Sequence, residues 1–113
     1  MAFYGFVDGA CRHTLNISLA AWILYSSAYD LVSLGAVCIG PTTNNIVEYQ
    51  AVIGLLTEAA SQDVHNRVVL MDSQLMVCHL NHVYTIRNLL ILCLFQRLYA
   101  INFIDQCANQ FIL

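Results

Sequence analysis

Lysine is absent from this 113-residue chain, and only Arg12, Arg67, Arg87 and Arg97 carry positive charge against seven acidic residues. Proteins that grip nucleic acid unaided show a basic patch, because neutralising phosphates supplies most of the affinity. This chain has no such patch. Charged residues of both signs make up 10% of it and apolar residues 59%, against about 25% and about 45–50% in ordinary soluble domains. Yet it also lacks an apolar run near the roughly 20 residues that a spanning helix needs. The stretch from Leu15 to Tyr29 contains Asn16, Ser18, Ser26 and Ser27, and the stretch from Leu31 to Val47 is broken by Gly35, Gly40, Pro41, Asn44 and Asn45. Leu89 to Phe95 is intensely apolar but short. No basic region precedes the first apolar residues, so a signal peptide is not expected. The expectation is an intracellular protein, cytoplasmic or nuclear and not secreted, folded as a single domain over residues 1–113.

A metal- or disulfide-forming cysteine pattern is also missing. Cys11, Cys38, Cys78, Cys93 and Cys107 are odd in number, widely spaced and free of any C-x-x-C pair, which argues against a disulfide framework or a zinc site. They read as small buried hydrophobes. His79 and His82 could meet on one helix face, but two histidines without a further clustered ligand make a poor metal site.

What remains is an ordered series of apolar elements. Ala2 to Val7 reads as a strand ending in a tight turn at Asp8-Gly9, which places Asp8 at or near a strand end. Leu19 to Tyr25 and Leu31 to Ile39 read as two further strands, and the short breaks suggest an antiparallel meander. Apolarity on both faces calls for helices to cover the sheet. Thr43 or Asn44 is a candidate N-cap for a helix from Ile46 to Ala60. There Val47, Ala51, Val52, Leu55 and Ala59 oppose a polar stripe of Gln50, Gly54, Thr57, Glu58 and Ser61, and Glu48 lies at the edge of the apolar side. Val68 to Met71 reads as a buried parallel strand that delivers Asp72 at its carboxyl end. Ser73 is an N-cap candidate for a helix from Gln74 to about His82, and Leu89 to Ala100 reads as another helix. Phe103 to Leu113 is a final short piece with Asp105 near its start.

If the first and fourth strands are neighbours, this order brings Asp8, Glu48 and Asp72 together. Three uncompensated carboxylates in one pocket repel each other, and a divalent cation resolves the conflict. Hard oxygen donors favour Mg²⁺, with Mn²⁺ as a substitute, over zinc. Two such ions about 3.5–4 Å apart could serve in-line phosphodiester cleavage.

The stretches Val7-Asp8-Gly9-Ala10, Thr43 to Ala51 (TNNIVEYQA) and Met71-Asp72-Ser73-Gln74-Leu75 give the chain a resemblance to type 1 ribonuclease H domains, particularly those at the ends of retroelement reverse transcriptases. The resemblance implies an α/β, ribonuclease H-like mixed sheet, three antiparallel strands followed by a parallel one, with helices packed on its faces. It implies endonucleolytic cutting of the RNA strand of an RNA–DNA hybrid, leaving a 3′-hydroxyl and a 5′-phosphate. Asp8, Glu48 and Asp72 match three of the four metal-binding carboxylates of the family. Asn44, Asn45 and Gln74 match residues that contact the minor groove of the hybrid, where amide side chains can read the 2′-hydroxyl that marks RNA.

For the fourth carboxylate, one register lays Ile104 to Asn109 on the family's last helix start with Asp105 as the acid, and is favoured here. Another aligns Ala108-Asn109 with the family's Ala-Asp pair and replaces the acid by an amide. Both leave an unusually short interval after Asp72, with no clear fifth strand or histidine loop before Asp105. Three readings follow: an active module of a retroelement polyprotein, beside a reverse transcriptase that supplies basic surface; a degenerate copy that no longer cuts; or an interaction module that self-associates through Leu89 to Phe95.

Overall fold

The computed structural model describes the backbone of residues 2–81, 86–105 and 108–112, and the side chains of these except 13, 75 and 99–109. Strand β1 (Phe3–Arg12) turns through a 3-10 segment (His13–Leu15) into β2 (Ile17–Tyr25), and β3 (Leu31–Ile39) follows. Helix α1 (Asn44–Ser61) crosses over to β4 (Asn66–Leu70), after which come α2 (Gln74–Leu80), α3 (Leu89–Asp105) and β5 (Ala108–Ile112). The strands form one sheet in the order β3-β2-β1-β4-β5. β1, β2 and β3 pair antiparallel, while β4 runs parallel to both β1 and β5. The mixed sheet read from the sequence is the one observed.

Helix α1 dominates the core. Val47, Tyr49, Ala51, Val52, Ile53, Leu55, Leu56 and Ala59 are all buried, a wider apolar surface than one stripe, because α1 lies between the sheet and α3. Its polar residues are selected by what they meet. Gly54 leaves no room for a Cβ against the Trp22 ring, and Glu58 accepts a hydrogen bond from Ser33 Oγ at 2.9 Å. Ile91, Leu94 and Leu98 of α3 join the same core, leaving Leu89 and Leu90 as the exposed leucines of the Leu89 to Phe95 stretch. The opposite sheet face carries exposed Phe6, Leu19 and Leu34, with Phe6 set edge-on to Tyr25. None of the described helices covers it in the way its apolarity led us to expect.

Further expectations are corrected. β1 continues through Asp8-Gly9 to Arg12, so Asp8 lies within a strand and not in a tight turn. Gly9 is needed for a close approach of α1, described below. The final piece, Phe103 to Leu113, contains the end of α3 and all of β5. The fifth strand therefore follows Asp105, and Ala108-Asn109 opens that strand and starts no helix. The cysteines also differ from expectation: Cys38 and Cys93 are exposed, Cys11 and Cys78 are half-buried, and these four are free. Cys107, like His82, lies outside the described residues.

Candidate active site

The β1–β4 register fixes the place of the two aspartates. Phe3 lies beside Arg67 and Phe6 beside Leu70, so Asp8, two residues further along β1, and Asp72, two residues past the end of β4, lie at the same end of the paired strands. Both are exposed. The Asp8 carboxylate accepts from the Gly9 N–H at 2.9 Å, which steadies it at the strand surface.

Glu48 reaches this end of the sheet from the first turns of α1. Thr43 is the N-cap, its Oγ1 accepting from the Ile46 N–H at 3.4 Å. Of the two candidates it is Thr43 that caps, which leaves Asn44 exposed and Asn45 half-exposed at the helix start. A Cβ built on Gly9 would come 2.7 Å from Val47 Cγ1 and 3.2 Å from Glu48 Cγ, so the missing side chain lets α1 settle directly over β1. Desolvation raises the Glu48 carboxyl above its ordinary range. A hydrogen bond with the Ser73 side chain partly offsets this, and the charges of Asp8 and then Asp72 raise it further. The two aspartates are thus felt at Glu48, as electrostatic neighbours.

Ser73 also caps α2. Its Oγ accepts from the Met76 N–H at 3.2 Å, and Gln74 follows, exposed, as the first residue of that helix. The sequence pointed to Ser73 only as a cap; its bond with Glu48 was missed, although its position directly after Asp72 was the available signal.

Asp105 is not brought to this cluster. It ends α3, three residues before Ala108, and Ala108 lies beside Asn66 at the amino end of β4. The cluster sits beyond the carboxyl end of β4, across the length of the strand. The Asp105 side chain lies outside those described, but its backbone is at the wrong end of the sheet for a fourth ligand. The part of β5 that does meet the acids is its carboxyl end, where Ile112 lies beside Leu70 and its carbonyl accepts from the Met71 N–H at 3.0 Å.

Among the described residues, no three Asp, Glu, His or Cys side chains converge tightly enough to enclose a metal ion. The donor chemistry nonetheless fits a hard cation: oxygen only, two of the three carboxylates exposed, and the third raised by desolvation and then by the charges of the other two. On the open sheet face lies a shallow depression of about 230 Å³ with Asp8 on its lining, which is otherwise made by Phe6, Val7, Ala21, Trp22, Ile23 and Leu34. Apart from Asp8 its walls are apolar, and neither they nor a carboxylate attracts a phosphate.

The profile of the reverse transcriptase-like family matches residues 6–113. The chain belongs to this family. It is 35% identical to the ribonuclease HI of Halobacterium salinarum over 72 residues, which are 64% of this chain and 36% of that protein. The matched stretch therefore spans about a third of the curated relative's length. The crystal structure of ribonuclease H1 from the same archaeon superposes with a TM-score of 0.86 at 25% identity, covering 100% of this chain and 84% of that one. LC11 ribonuclease H1, isolated from compost and crystallised with an RNA/DNA hybrid, gives a TM-score of 0.88 at 22% identity, over 98% of this chain and 84% of that one. The likeness to type 1 ribonuclease H domains read from three short motifs holds for family and fold.

Proposed function

We propose that this domain is a divalent-metal-dependent endonuclease that cuts the RNA strand of RNA–DNA hybrids. The observation that carries the reading is the placement of Asp8, Glu48 and Asp72 at one end of the sheet by β1, the start of α1 and the end of β4. Family membership and the ribonuclease H relatives support it. Asp8, Glu48 and Asp72 would hold Mg²⁺, or Mn²⁺ in its place, as a pair of ions. When bound, such ions activate a water and stabilise the leaving oxygen of an in-line displacement.

The chain's own residues supply placement. Asn44 and Asn45 at the start of α1 and Gln74 at the start of α2 flank the acids and present amides to a minor groove lined with 2′-hydroxyls. Arg67 is buried, and exposed Arg12, Arg87 and Arg97 are the remaining cations. With so little positive charge, tight binding of a hybrid would need a basic neighbour. A place in a retroelement polyprotein, beside a reverse transcriptase domain, would provide one.

The placement of Asp105 away from the cluster favours one second reading, a ribonuclease H-like module that binds partners without cutting. Hybrid cleavage measured with Mg²⁺ and with Mn²⁺, for the wild type and for Asp8→Asn, decides between them. The proposal expects metal-dependent cleavage that falls on the order of 10²-fold or more in Asp8→Asn, the scale on which removing one stabilising group acts. A folded wild type without metal-dependent cleavage leaves the second reading.

A further inference from the structure

Two consecutive residues of α1 hold the two ends of α2. Glu48 meets Ser73, the cap of α2, and Tyr49 meets His79 in its last turn. The Tyr49 hydroxyl and His79 Nδ1 are 3.2 Å apart, and both residues are buried, at 1% and 7% exposure. Successive helix residues point about 100° apart, so Tyr49 turns inward beneath α2 while Glu48 faces the end of the sheet. Just past α2, Asn81 Nδ2 donates to the Phe111 carbonyl at 3.1 Å, which ties the same segment to β5.

A seven-residue helix has too few internal hydrogen bonds to hold its own place. Its position is set by these contacts. The Ser73 hydroxyl has one proton to give and can accept as well. With the Met76 N–H occupying an acceptor site, the proton is left for the Glu48 carboxylate.

We propose that Tyr49 and His79 are positioning residues: their buried bond sets α2 on α1 so that Ser73 holds the Glu48 carboxylate toward Asp8 and Asp72. Neither touches substrate or metal. The inference rests on the functional reading above, since it concerns how well the three acids are assembled for a cation. Loss of the bond lets α2 shift, frees the Glu48 side chain and weakens cation binding, while Asn44 and Asn45 of α1 stay in place and only Gln74 moves with α2.

The test is Mn²⁺ affinity, read by calorimetry without hybrid, together with KM for the hybrid at saturating metal. Tyr49→Phe, which keeps the ring, should weaken Mn²⁺ binding about 10-fold, the range found when partners behind metal ligands are removed, with a smaller rise in KM because Gln74 moves with α2. Leu56→Val, a core truncation in the same helix, lowers stability without moving Mn²⁺ affinity, and separates positioning from stability. Should Tyr49→Phe fail to fold, half-exposed Ser73 carries the same test: Ser73→Thr keeps wild-type affinity, whereas Ser73→Gly, still an accepted helix cap but with no hydroxyl to donate, loses it. Wild-type Mn²⁺ affinity in Tyr49→Phe, or in Ser73→Gly, overturns this proposal alone. A wild type that binds no Mn²⁺ and cleaves no hybrid overturns the functional reading and this proposal with it.

Discussion

Gly9 lies so close beneath Glu48 that a Cβ on it would stand 3.1 Å from the Glu48 backbone nitrogen and 3.2 Å from its Cγ. No left-handed backbone is involved: among the described glycines none has positive φ. The position is set by crowding. Gly9→Ala must push α1 away from β1 or twist Val47, whose Cγ1 would be 2.7 Å from the new methyl. Overpacking of this kind costs about 1–3 kcal/mol. Urea unfolding should show that loss, and Mn²⁺ binding should weaken with it because Glu48 moves with the helix. An unchanged unfolding midpoint would mean that the helix start is more pliant than its packing implies.

Glu48 ties stability to pH. Its carboxyl is raised above 4.5 in the folded chain, first by desolvation, so the metal-free fold binds this proton more tightly than the unfolded chain does. The resulting stabilisation is fully present below about pH 4.5 and is lost as pH rises through the folded value. Glu48→Gln should remove that slope and make the metal-free protein more stable than wild type at pH 7. Buried His79 acts in the opposite sense: burial lowers its value below 6.5, so its contribution is complete above about pH 6.5 and is lost as pH falls through the folded value. Thermal melts from pH 4 to 8 of wild type, Glu48→Gln and His79→Leu resolve the two. A Glu48→Gln variant less stable than wild type at pH 7 without metal would show that desolvation and the two aspartates do not raise the Glu48 carboxyl.

The asparagines at the start of α1 can be separated from the cap that precedes them. Since Thr43 Oγ1 makes the capping bond, Thr43→Ala should cost about 1 kcal/mol of stability and leave KM for the hybrid alone. Asn44 is exposed, so Asn44→Ala should change stability by less than about 0.5 kcal/mol while raising KM several-fold. The reverse pattern, a stability loss at Asn44 with KM unmoved, would return Asn44 to a capping role.

Much of this was legible in the chain because it depends on local pattern. The bounds of β3, the N-cap of α2 at Ser73 and the parallel placement of β4 follow from apolar runs bounded by turn or cap residues, and the observed elements agree. What was not legible depends on contacts distant in sequence. Gly9 looked like a turn because glycine after aspartate usually makes one, whereas here the glycine answers to Val47 and Glu48. Tyr49 and His79 were invisible as a pair, since nothing in either residue announces a partner 30 positions away. The tail misled for another reason: Ala108-Gln110 contains two polar residues, and their strand assignment comes from pairing with Asn66 to Val68, not from any alternation of their own.

Asp105 gives the sharpest division between motif and topology. In a parallel pair the two strands start at the same end of the sheet, so Ala108 beside Asn66 places the end of α3 at the amino end of β4. Asp72 stands six residues beyond Asn66 along the chain, and at about 3.3 Å per extended residue the two levels are roughly 20 Å apart. That exceeds the Debye length of about 8 Å at physiological salt, so even the charge of Asp105 is screened from the cluster. Asp105→Asn should therefore leave metal-dependent cleavage and Mn²⁺ affinity within about twofold of wild type, whereas Asp72→Asn loses both on the order of 10²-fold. The comparison is made at equal protein and metal concentrations, with circular dichroism confirming that both variants fold. Equal losses in the two variants would mean that the tail pairs differently on the sheet and returns Asp105 to the metal site.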